Sequence, residues 1–206
     1  MEITFLFFTL IVLFFSIVIH EIAHGSVALS LGDPTAKVAG RITLNPLKHI
    51  DFFGTILVPL FLLFITAGQG PIFGWAKPVP VNPYNFRDQK WGSLKVAIAG
   101  PLVNFIIAIL FASAIRFLPP NHLLVNFFTI ISFYNLAWGM FNLVPIPPLD
   151  GSHILFSFLS EYSKLKIFLL RYSFFLLMIF ILFGFNLIFI FSKILFDILS
   201  GNKFIF

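Results

Sequence analysis

The chain has 206 residues, of which 59% are hydrophobic and 10% are charged, and phenylalanine alone contributes 31 of them. A typical soluble domain is about 45–50% apolar and about 25% charged, so this composition excludes a soluble globular protein and a disordered chain. The 13 Lys and Arg residues outnumber the 8 Asp and Glu residues, but they form no aromatic-interleaved patch of the kind that binds nucleic acid. We therefore predict an all-α polytopic membrane protein with about four to six membrane segments.

The chain contains no cysteine. A disulfide framework, a thiolate zinc site and a cysteine nucleophile are therefore excluded. Any metal ion must be bound by His, Asp or Glu, and there are only five His residues. The N-terminus carries Glu2 and no early basic residue, which is unlike a cleavable signal peptide.

The first predicted membrane helix covers residues 3–30, in which Glu21 is the single charged residue. A helix of this length is about 42 Å long and can span the hydrocarbon layer with some tilt. A Gly-Asp-Pro sequence at 32–34 is a stop signal. Residues 35–50 are mixed polar and β-prone, and we predict a short β-hairpin or an extended segment at the membrane surface.

Residues 52–67 are apolar but only about 16 long, with Pro59 in the middle, which is marginal for a membrane span. We predict that they form a re-entrant segment. Residues 68–90 are rich in Gly, Pro and Asn, which argues against helix. Within them, residues 74–80 are predicted to be extended and either to line the substrate cleft, pairing with an unwound substrate as an added strand, or to form a plain surface loop.

The second half of the chain contains three further apolar stretches. Residues 96–115 are uncharged and predict a span, and residues 123–149 carry no charge before Asp150. Residues 151–163 predict a short surface helix. Residues 172–192 are the last apolar stretch, for which one tilted span and a bent hairpin both remain open. Ten of the 13 basic residues fall on one side of this arrangement, which predicts that side to be cytoplasmic; they are at positions 37, 41, 48, 77, 87, 90, 95, 164, 166 and 171.

The sequence His20-Glu21-Ile22-Ala23-His24 lies inside the first apolar run. Residues four apart share one helix face, so both imidazoles can reach one ion, and Glu21 can take a proton from a metal-bound water. This is the HExxH pattern of zinc hydrolases. The alternative is hydrogen bonding between helices, but two His and a Glu in a membrane span are costly unless they are paired or bind a metal.

A catalytic zinc needs a third protein ligand and an open position, and Asp150 is the candidate. It follows prolines at 145, 147 and 148, which force the backbone to be extended. At membrane depth, such a backbone is tolerated only when it is buried in the protein or lines a water-filled cavity. Gly151 allows a sharp turn after the ligand. The alternative for Asp150 is a helix N-cap, and one residue can serve both roles.

These two motifs, HEIAH at 20–24 and NLVPIPPLDG at 142–151, resemble those of the site-2 protease family of intramembrane zinc metalloproteases. Ala99-Gly100-Pro101 resembles the start of the helix that lies between them in the family. The resemblance covers residues 5–160 approximately. It implies a single membrane-embedded domain over 1–206, with its core at 3–160, a C-terminal membrane part at 168–200, and no PDZ or other soluble domain.

The resemblance implies one zinc ion per chain, bound by His20, His24 and Asp150, with Glu21 as the general base. Asn142 resembles the family Asn that assists near the substrate carbonyl, where an amide can donate to an oxyanion; the alternative is hydrogen bonding between helices. The implied substrate is a membrane protein or a signal peptide, cleaved in a bacterial or archaeal cell membrane with the active site nearer the cytoplasmic side.

The remaining polar residues receive weaker assignments. We expect His49, His122 and His153 not to bind metal, and Asn104 to be a second polar contact at the site.

Because His24 and Asp150 must meet, the spans that carry them must run parallel with one crossing between them. Competing classes are a catalytically inactive scaffold of the same family and a metal-binding membrane protein. A di-iron oxidase would need more His ligands, and an inverted-repeat transporter would show internal repeats.

Overall fold

The computed structural model describes residues 2–65, 74–89, 91–119 and 121–201, and every regular element in these residues is helical. The prediction of an all-α protein is confirmed. Two short 3₁₀ turns (Pro46–Lys48 and Pro83–Asn85) and two π-helical turns (Phe52–Leu57 and Phe180–Gly184) accompany the helices. The α-helices are α1 (Glu2–Ser30), α2 (Thr35–Val38), α3 (Val58–Ile65), α4 (Gly92–Ile115), α5 (Leu123–Asn142), α6 (Asp150–Phe156), α7 (Lys164–Ile179) and α8 (Phe185–Ser200).

Within the described residues, four helical segments are long and apolar enough to cross a membrane: Thr4–Ser30, Gly92–Ile115, Leu123–Asn142 and Lys164–Ser200. This number is at the lower end of the predicted range. The last segment joins α7, a π-helical turn and α8 into one helix of 37 residues. The C-terminal apolar stretch is therefore a single helix and not a hairpin. At 1.5 Å per residue it is about 55 Å long, well beyond the hydrocarbon thickness of about 30 Å.

The β-hairpin predicted for residues 35–50 is wrong. No residue of this segment is in a strand, and it folds instead as the short helix α2, a turn and the 3₁₀ turn at Pro46–Lys48. Asx-type capping explains the difference, because the Asn45 side chain accepts a hydrogen bond from the Leu47 amide and Pro46 occupies the first helical position. Such local bonds compete successfully with a weak β propensity.

Helix α4 packs against both α1 and α5 and lies at the centre of the bundle. Most of its buried positions carry Gly or Ala, including Ala108 and Ala112, which are fully buried. Its outward face carries large apolar side chains such as Leu102 and Leu110, which are 52% and 64% exposed. This inside-out distribution is typical of membrane helices, in which small residues allow close helix contact while large apolar residues face lipid.

Helices α1 and α5 run parallel, with α4 antiparallel between them. The hydrogen bond from His24 to the Val96 carbonyl near the start of α4 shows that the end of α1 lies beside the start of α4. Ser132, in the first half of α5, donates to the Ala108 carbonyl in the second half of α4. The predicted parallel arrangement of α1 and α5 is therefore present, and both helices end at the same side of the bundle.

The opposite end of the bundle is closed by α8. Phe196 is fully buried against the cluster that contains Ala112, Val125 and Leu136. Arg116, just after α4, donates from Nε to the Leu199 carbonyl at 2.6 Å, as well as to the preceding carbonyl. A cation beside the C-terminal carbonyls of a helix is electrostatically favourable, so this contact ties the end of α8 to the end of α4.

The loop after residue 81 is attached to the end of α1 through the buried carboxylate of Asp33. This side chain accepts hydrogen bonds from the Asn82 amide at 2.7 Å and the Asn85 side chain at 2.8 Å, and from the amide and hydroxyl of Thr35. Burial by itself raises the pKa of Asp33, but these hydrogen bonds favour the charged form more strongly, so the pKa is lowered from its ordinary value of 3.8. The ionised form of Asp33 therefore holds this loop against α1.

Candidate metal centre

Three predicted ligand atoms converge where α1 meets the start of α6. The Nε2 atoms of His20 and His24 lie 3.0 Å apart. The Oδ2 atom of Asp150 lies 3.0 Å from the first and 3.2 Å from the second. This trio is the one group of three or more potential metal ligands in the part of the chain that the structure describes. The sequence therefore identified all three members of the cluster.

The hydrogen bonds of the two imidazoles fix which nitrogen is available to a metal. His20 Nδ1 lies 2.7 Å from Asn104 Oδ1, and His24 Nδ1 lies 2.7 Å from the Val96 carbonyl oxygen. Because these oxygens only accept, each Nδ1 is the donor, and each Nε2 of a neutral ring carries a lone pair toward the other two ligand atoms. Such carboxylate- or carbonyl-oriented rings are typical of metal-binding His residues.

The trio fits a zinc ion. Asp150 Oδ2 is buried and has no hydrogen-bond partner among the described residues, although it faces two imidazole nitrogens. Three lone pairs at such short separations repel one another unless a cation lies between them. Ligand atoms about 2.0–2.1 Å from a tetrahedral ion lie about 3.3 Å apart, which is close to the observed spacing. Three protein ligands leave the fourth position open, as a catalytic site requires.

Asp150 is the first residue of α6, whose N-cap is Leu149 without a side-chain capping bond. The alternative role of Asp150 as an N-cap is therefore not observed. Glycine is required at position 151, because a Cβ atom there would lie 2.1 Å from the Leu143 carbonyl oxygen in the loop before α6.

A chain of amide side chains supports His20 from behind. Asn104, fully buried on α4, accepts from His20 and donates through Nδ2 to Asn135 Oδ1 at 2.8 Å and to the Ser16 carbonyl at 3.2 Å. Asn135 in turn donates to the Ile131 carbonyl. The expectation that Asn104 contacts the site is confirmed, and the network links α1, α4 and α5 behind one ligand.

Gly100 allows α4 to pass directly beside the ligand atoms. A Cβ atom at this position would lie 2.4 Å from His24 Nε2 and 2.6 Å from His20 Nε2. No side chain other than hydrogen fits there without displacing the imidazoles. The requirement for glycine is therefore steric and concerns the metal centre itself.

The carboxylate of Glu21 is held by the backbone of a distant segment. Glu21 Oε2 accepts a hydrogen bond from the Val79 amide at 2.8 Å. The Val79 side chain is buried against α1, where a Cβ atom on Gly25 would approach Val79 Cγ1 to 2.9 Å. The segment that contains Val79 therefore lies across α1 beside the proposed ligands.

Residues 74–82 form neither helix nor strand. The amides of every second residue from 75 to 79 point into the protein, as in an extended backbone, and each of them donates a hydrogen bond. The bonds are Trp75 N–H to the Gly54 carbonyl (3.1 Å), Lys77 N–H to the His49 carbonyl (2.9 Å) and Val79 N–H to Glu21 Oε2 (2.8 Å).

The other edge of this segment has few donors for a substrate strand. Pro78 and Pro80 have no amide hydrogen, so Ala76 carries the one outward N–H between residues 75 and 80. Pairing of a substrate strand with residues 74–80 remains a prediction. In such a pairing, most hydrogen bonds would have to be donated by substrate amides to carbonyl oxygens of this segment.

The other candidate residues lie as follows. Asn142 is buried at the end of α5, and its amide donates to the Trp138 carbonyl at 3.0 Å, so its role toward a substrate stays a prediction. His49 is fully buried and bonds to the Thr43 carbonyl, and His122 caps α5. His153 is exposed on α6. None of these three His residues belongs to the described ligand cluster.

Several residues of the site carry little signal in the sequence. The carbonyl of Val96 and the amide of Val79 are backbone groups, which any residue type provides. Arg41 was counted with the surface charges that mark the cytoplasmic side, but its side chain is 6% exposed and bonds to the segment that holds Glu21. Asn135 could have been suspected, because it is an amide inside an apolar run.

Comparison with known proteins gives a consistent result. The family described as Peptidase family M50 matches residues 119–183. The chain is 41% identical over 157 residues to "Putative zinc metalloprotease YwhC" of Bacillus subtilis, covering 72% of this chain and 67% of that protein. No solved structure matches the chain at a significant level.

Two further relatives are more distant. "Putative zinc metalloprotease Rip2" of Mycobacterium tuberculosis is 32% identical over 138 residues, covering 66% of this chain and 51% of that protein. "Zinc metalloprotease MJ0392" of Methanocaldococcus jannaschii is 31% identical over 160 residues, covering 76% of this chain and 36% of that protein. The similarity thus spans two thirds of YwhC but about half of Rip2 and about a third of MJ0392.

Proposed function

Because the chain belongs to peptidase family M50, a family of zinc metalloproteases, we propose that it is an intramembrane zinc metalloprotease. It hydrolyses peptide bonds of transmembrane or membrane-proximal segments of other proteins, including signal peptides. The observation that carries this proposal is the convergence of His20 Nε2, His24 Nε2 and Asp150 Oδ2 within 3.2 Å of one another, between long apolar helices.

One zinc ion per chain would be held by His20, His24 and Asp150. When bound, zinc lowers the pKa of a coordinated water and polarises a carbonyl group. Glu21 takes the proton from the attacking water and later delivers it to the leaving amine. The Val79 amide restrains one oxygen of the Glu21 carboxylate, which limits the orientations of the base. Asn142 is proposed to donate to the carbonyl oxygen of the substrate as negative charge develops there.

A re-entrant segment between α1 and α4 fits the hydrogen bonds at its two ends. The Trp75 amide donates to the Gly54 carbonyl, so the chain enters and leaves this segment at adjacent points. In the described residues, the π-helical turn and α3 form one helical stretch over 52–65, about 21 Å at 1.5 Å per residue, which is shorter than the hydrocarbon layer of about 30 Å. It leaves Phe61 and Phe64 60% and 81% exposed, as expected for a segment that dips into lipid.

Cysteine accessibility tests this topology, because the parent chain has no cysteine. Single-cysteine variants Lys48→Cys and Ala76→Cys are expected to react with a membrane-impermeant maleimide from the same side, the cytoplasmic one. Asn121→Cys, in the turn between α4 and α5, should react from the opposite side. Labelling of a cysteine at positions 68–72 from outside the cell would contradict a re-entrant segment.

The basic residues support an active site near the cytoplasmic face of a bacterial or archaeal cell membrane. Lys37, Lys48, Lys77 and Lys95 all lie at the end of the bundle where α1 ends and α4 begins. Positive residues concentrate in cytoplasmic loops. The metal ligands lie at this same end, because Asp150 opens α6 directly after the loop that follows α5. Substrate would therefore be cut nearer the cytoplasm than the opposite face.

Metal removal tests the proposed activity. The full chain, purified in detergent without a His tag, is expected to contain about one zinc per chain and to cleave a membrane-segment peptide. Chelation by 1,10-phenanthroline should stop cleavage, and added Zn²⁺ should restore it. His24→Ala should lose zinc and activity, whereas His153→Ala, the matched control, should keep both. Cleavage by a zinc-free chain, or a parent chain that binds no zinc, would contradict the proposal.

A further inference from the structure

We propose that Arg41 is a positioning residue for the general base, acting through the peptide bond between Pro78 and Val79; this inference rests on the proposed function. Arg41 follows Gly40, whose φ of +63° turns the chain back after α2. The Arg41 amide donates to the Ala36 carbonyl at 2.9 Å. This turn directs the side chain inward, where it is 6% exposed.

The guanidinium of Arg41 is bound by backbone carbonyls and not by a carboxylate. Its Nη2 donates to the carbonyl oxygens of Lys77 and, at 3.3 Å, of Pro78. No acidic side chain forms an ion pair with Arg41 among the described residues. Burying a cation without a carboxylate partner costs folding free energy. The buried position of the Arg41 guanidinium is therefore better explained by its hold on residues 77–79 than by a contribution to the stability of the fold.

A single peptide group connects Arg41 with Glu21. The carbonyl oxygen of Pro78 accepts from the guanidinium, and the amide of Val79, which belongs to the same peptide group, donates to Glu21 Oε2 at 2.8 Å. A cation at the oxygen of a peptide group and an anion at its N–H polarise it in the same direction, and hydrogen bonds in such a chain strengthen one another. Arg41 therefore both anchors the peptide and strengthens the bond that restrains Glu21.

Val79 also fixes where this peptide group lies along α1. Its side chain is buried and reaches Gly25, so the segment cannot slide along the helix without losing that contact. The buried side chain sets the register and Arg41 sets the orientation of the peptide plane. Together they direct the N–H toward the carboxylate one helical residue from the ligand His20.

The test is a double-mutant cycle on the detergent-solubilised full chain. Arg41→Met removes the guanidinium, and Glu21→Gln removes the base through which Arg41 is proposed to act. Arg41→Met is expected to lower kcat about 10- to 100-fold, with KM changed by less than about twofold, because misplacing a catalytic group costs rate more than binding. Glu21→Gln is expected to lower kcat about 10²- to 10⁴-fold. The double variant should be no worse than the more affected single variant, because both changes break one connection. Multiplying effects would overturn the proposal.

A second readout does not depend on activity. Hydrogen–deuterium exchange of the peptide that covers residues 74–82 should be faster in Arg41→Met than in the parent chain, while zinc content stays the same. Arg41→Lys should restore part of both kcat and protection. Lys48→Met, which removes an exposed charge from the same loop, should change neither. Unchanged exchange in Arg41→Met would overturn the proposal even if the chain had no peptidase activity.

Discussion

Replacing Glu21 by Gln is expected to lower kcat about 10²- to 10⁴-fold, the range for loss of a general base, while zinc remains bound. The amide has nearly the same size as the carboxylate, and its oxygen can still accept the hydrogen bond from the Val79 amide. It cannot take a proton from water. Binding of the metal is unaffected because the proposed ligands are His20, His24 and Asp150.

The measurement pairs zinc content with cleavage of a membrane substrate, co-expressed or in liposomes. Glu161→Gln is the matched control, because the Glu161 side chain is 84% exposed in the loop before α7 and forms an ion pair with Lys166, far from the proposed ligands in sequence. That variant should cut as fast as the parent chain. Cleavage by Glu21→Gln at the parental rate would show that another group takes the proton.

Gly100→Ala is expected to weaken zinc binding at least about 100-fold, the upper range for disturbed support of a metal ligand, and to stop cleavage. The new methyl group would lie 2.4 Å from His24 Nε2 and 2.6 Å from His20 Nε2, so one or both rings must move. Alanine favours helix over glycine by about 1 kcal/mol. Loss of function in this variant would therefore come from the site and not from a weaker α4.

Gly139→Ala provides the control for this substitution, since Gly139 lies on the neighbouring helix α5. A Cβ atom there would meet Phe105 ring atoms at 3.3 Å, which a small ring movement relieves. Zinc content and cleavage should be close to parental in this variant. The two variants are compared by metal analysis after equilibration with buffered zinc. Full zinc occupancy and parental cleavage in Gly100→Ala would contradict the proposed ligand positions.

The parts of the site that were predictable depend on short-range patterns. His20 and His24 share a helix face by spacing alone, and Asp150 stands out as a carboxylate after an uncharged, proline-rich run. Parallel packing of α1 and α5 then follows from the need for these residues to meet. Asn104 was recognisable as an amide within an apolar helix, four residues after Gly100.

The parts that were not predictable depend on contacts between distant segments. Arg41 has the composition of a surface charge, and only the position of residues 77–79 makes it a buried donor. The Val79 amide has no side-chain signature at all. The β-hairpin was mispredicted because the β propensity of residues such as Val38 and Thr43 depends on the surrounding structure, whereas the Asn45–Pro46 turn is determined locally.

The order of the ligands along the chain has a consequence for biosynthesis. Two ligands are present as soon as α1 is made, but Asp150 follows only after α4 and α5. A nascent chain with α1 alone offers two imidazoles, which hold zinc far more weakly than three ligands do. If the proposed ligands are right, tight metal binding needs the complete bundle, and we expect a chain that has inserted α1 alone to have no peptidase activity.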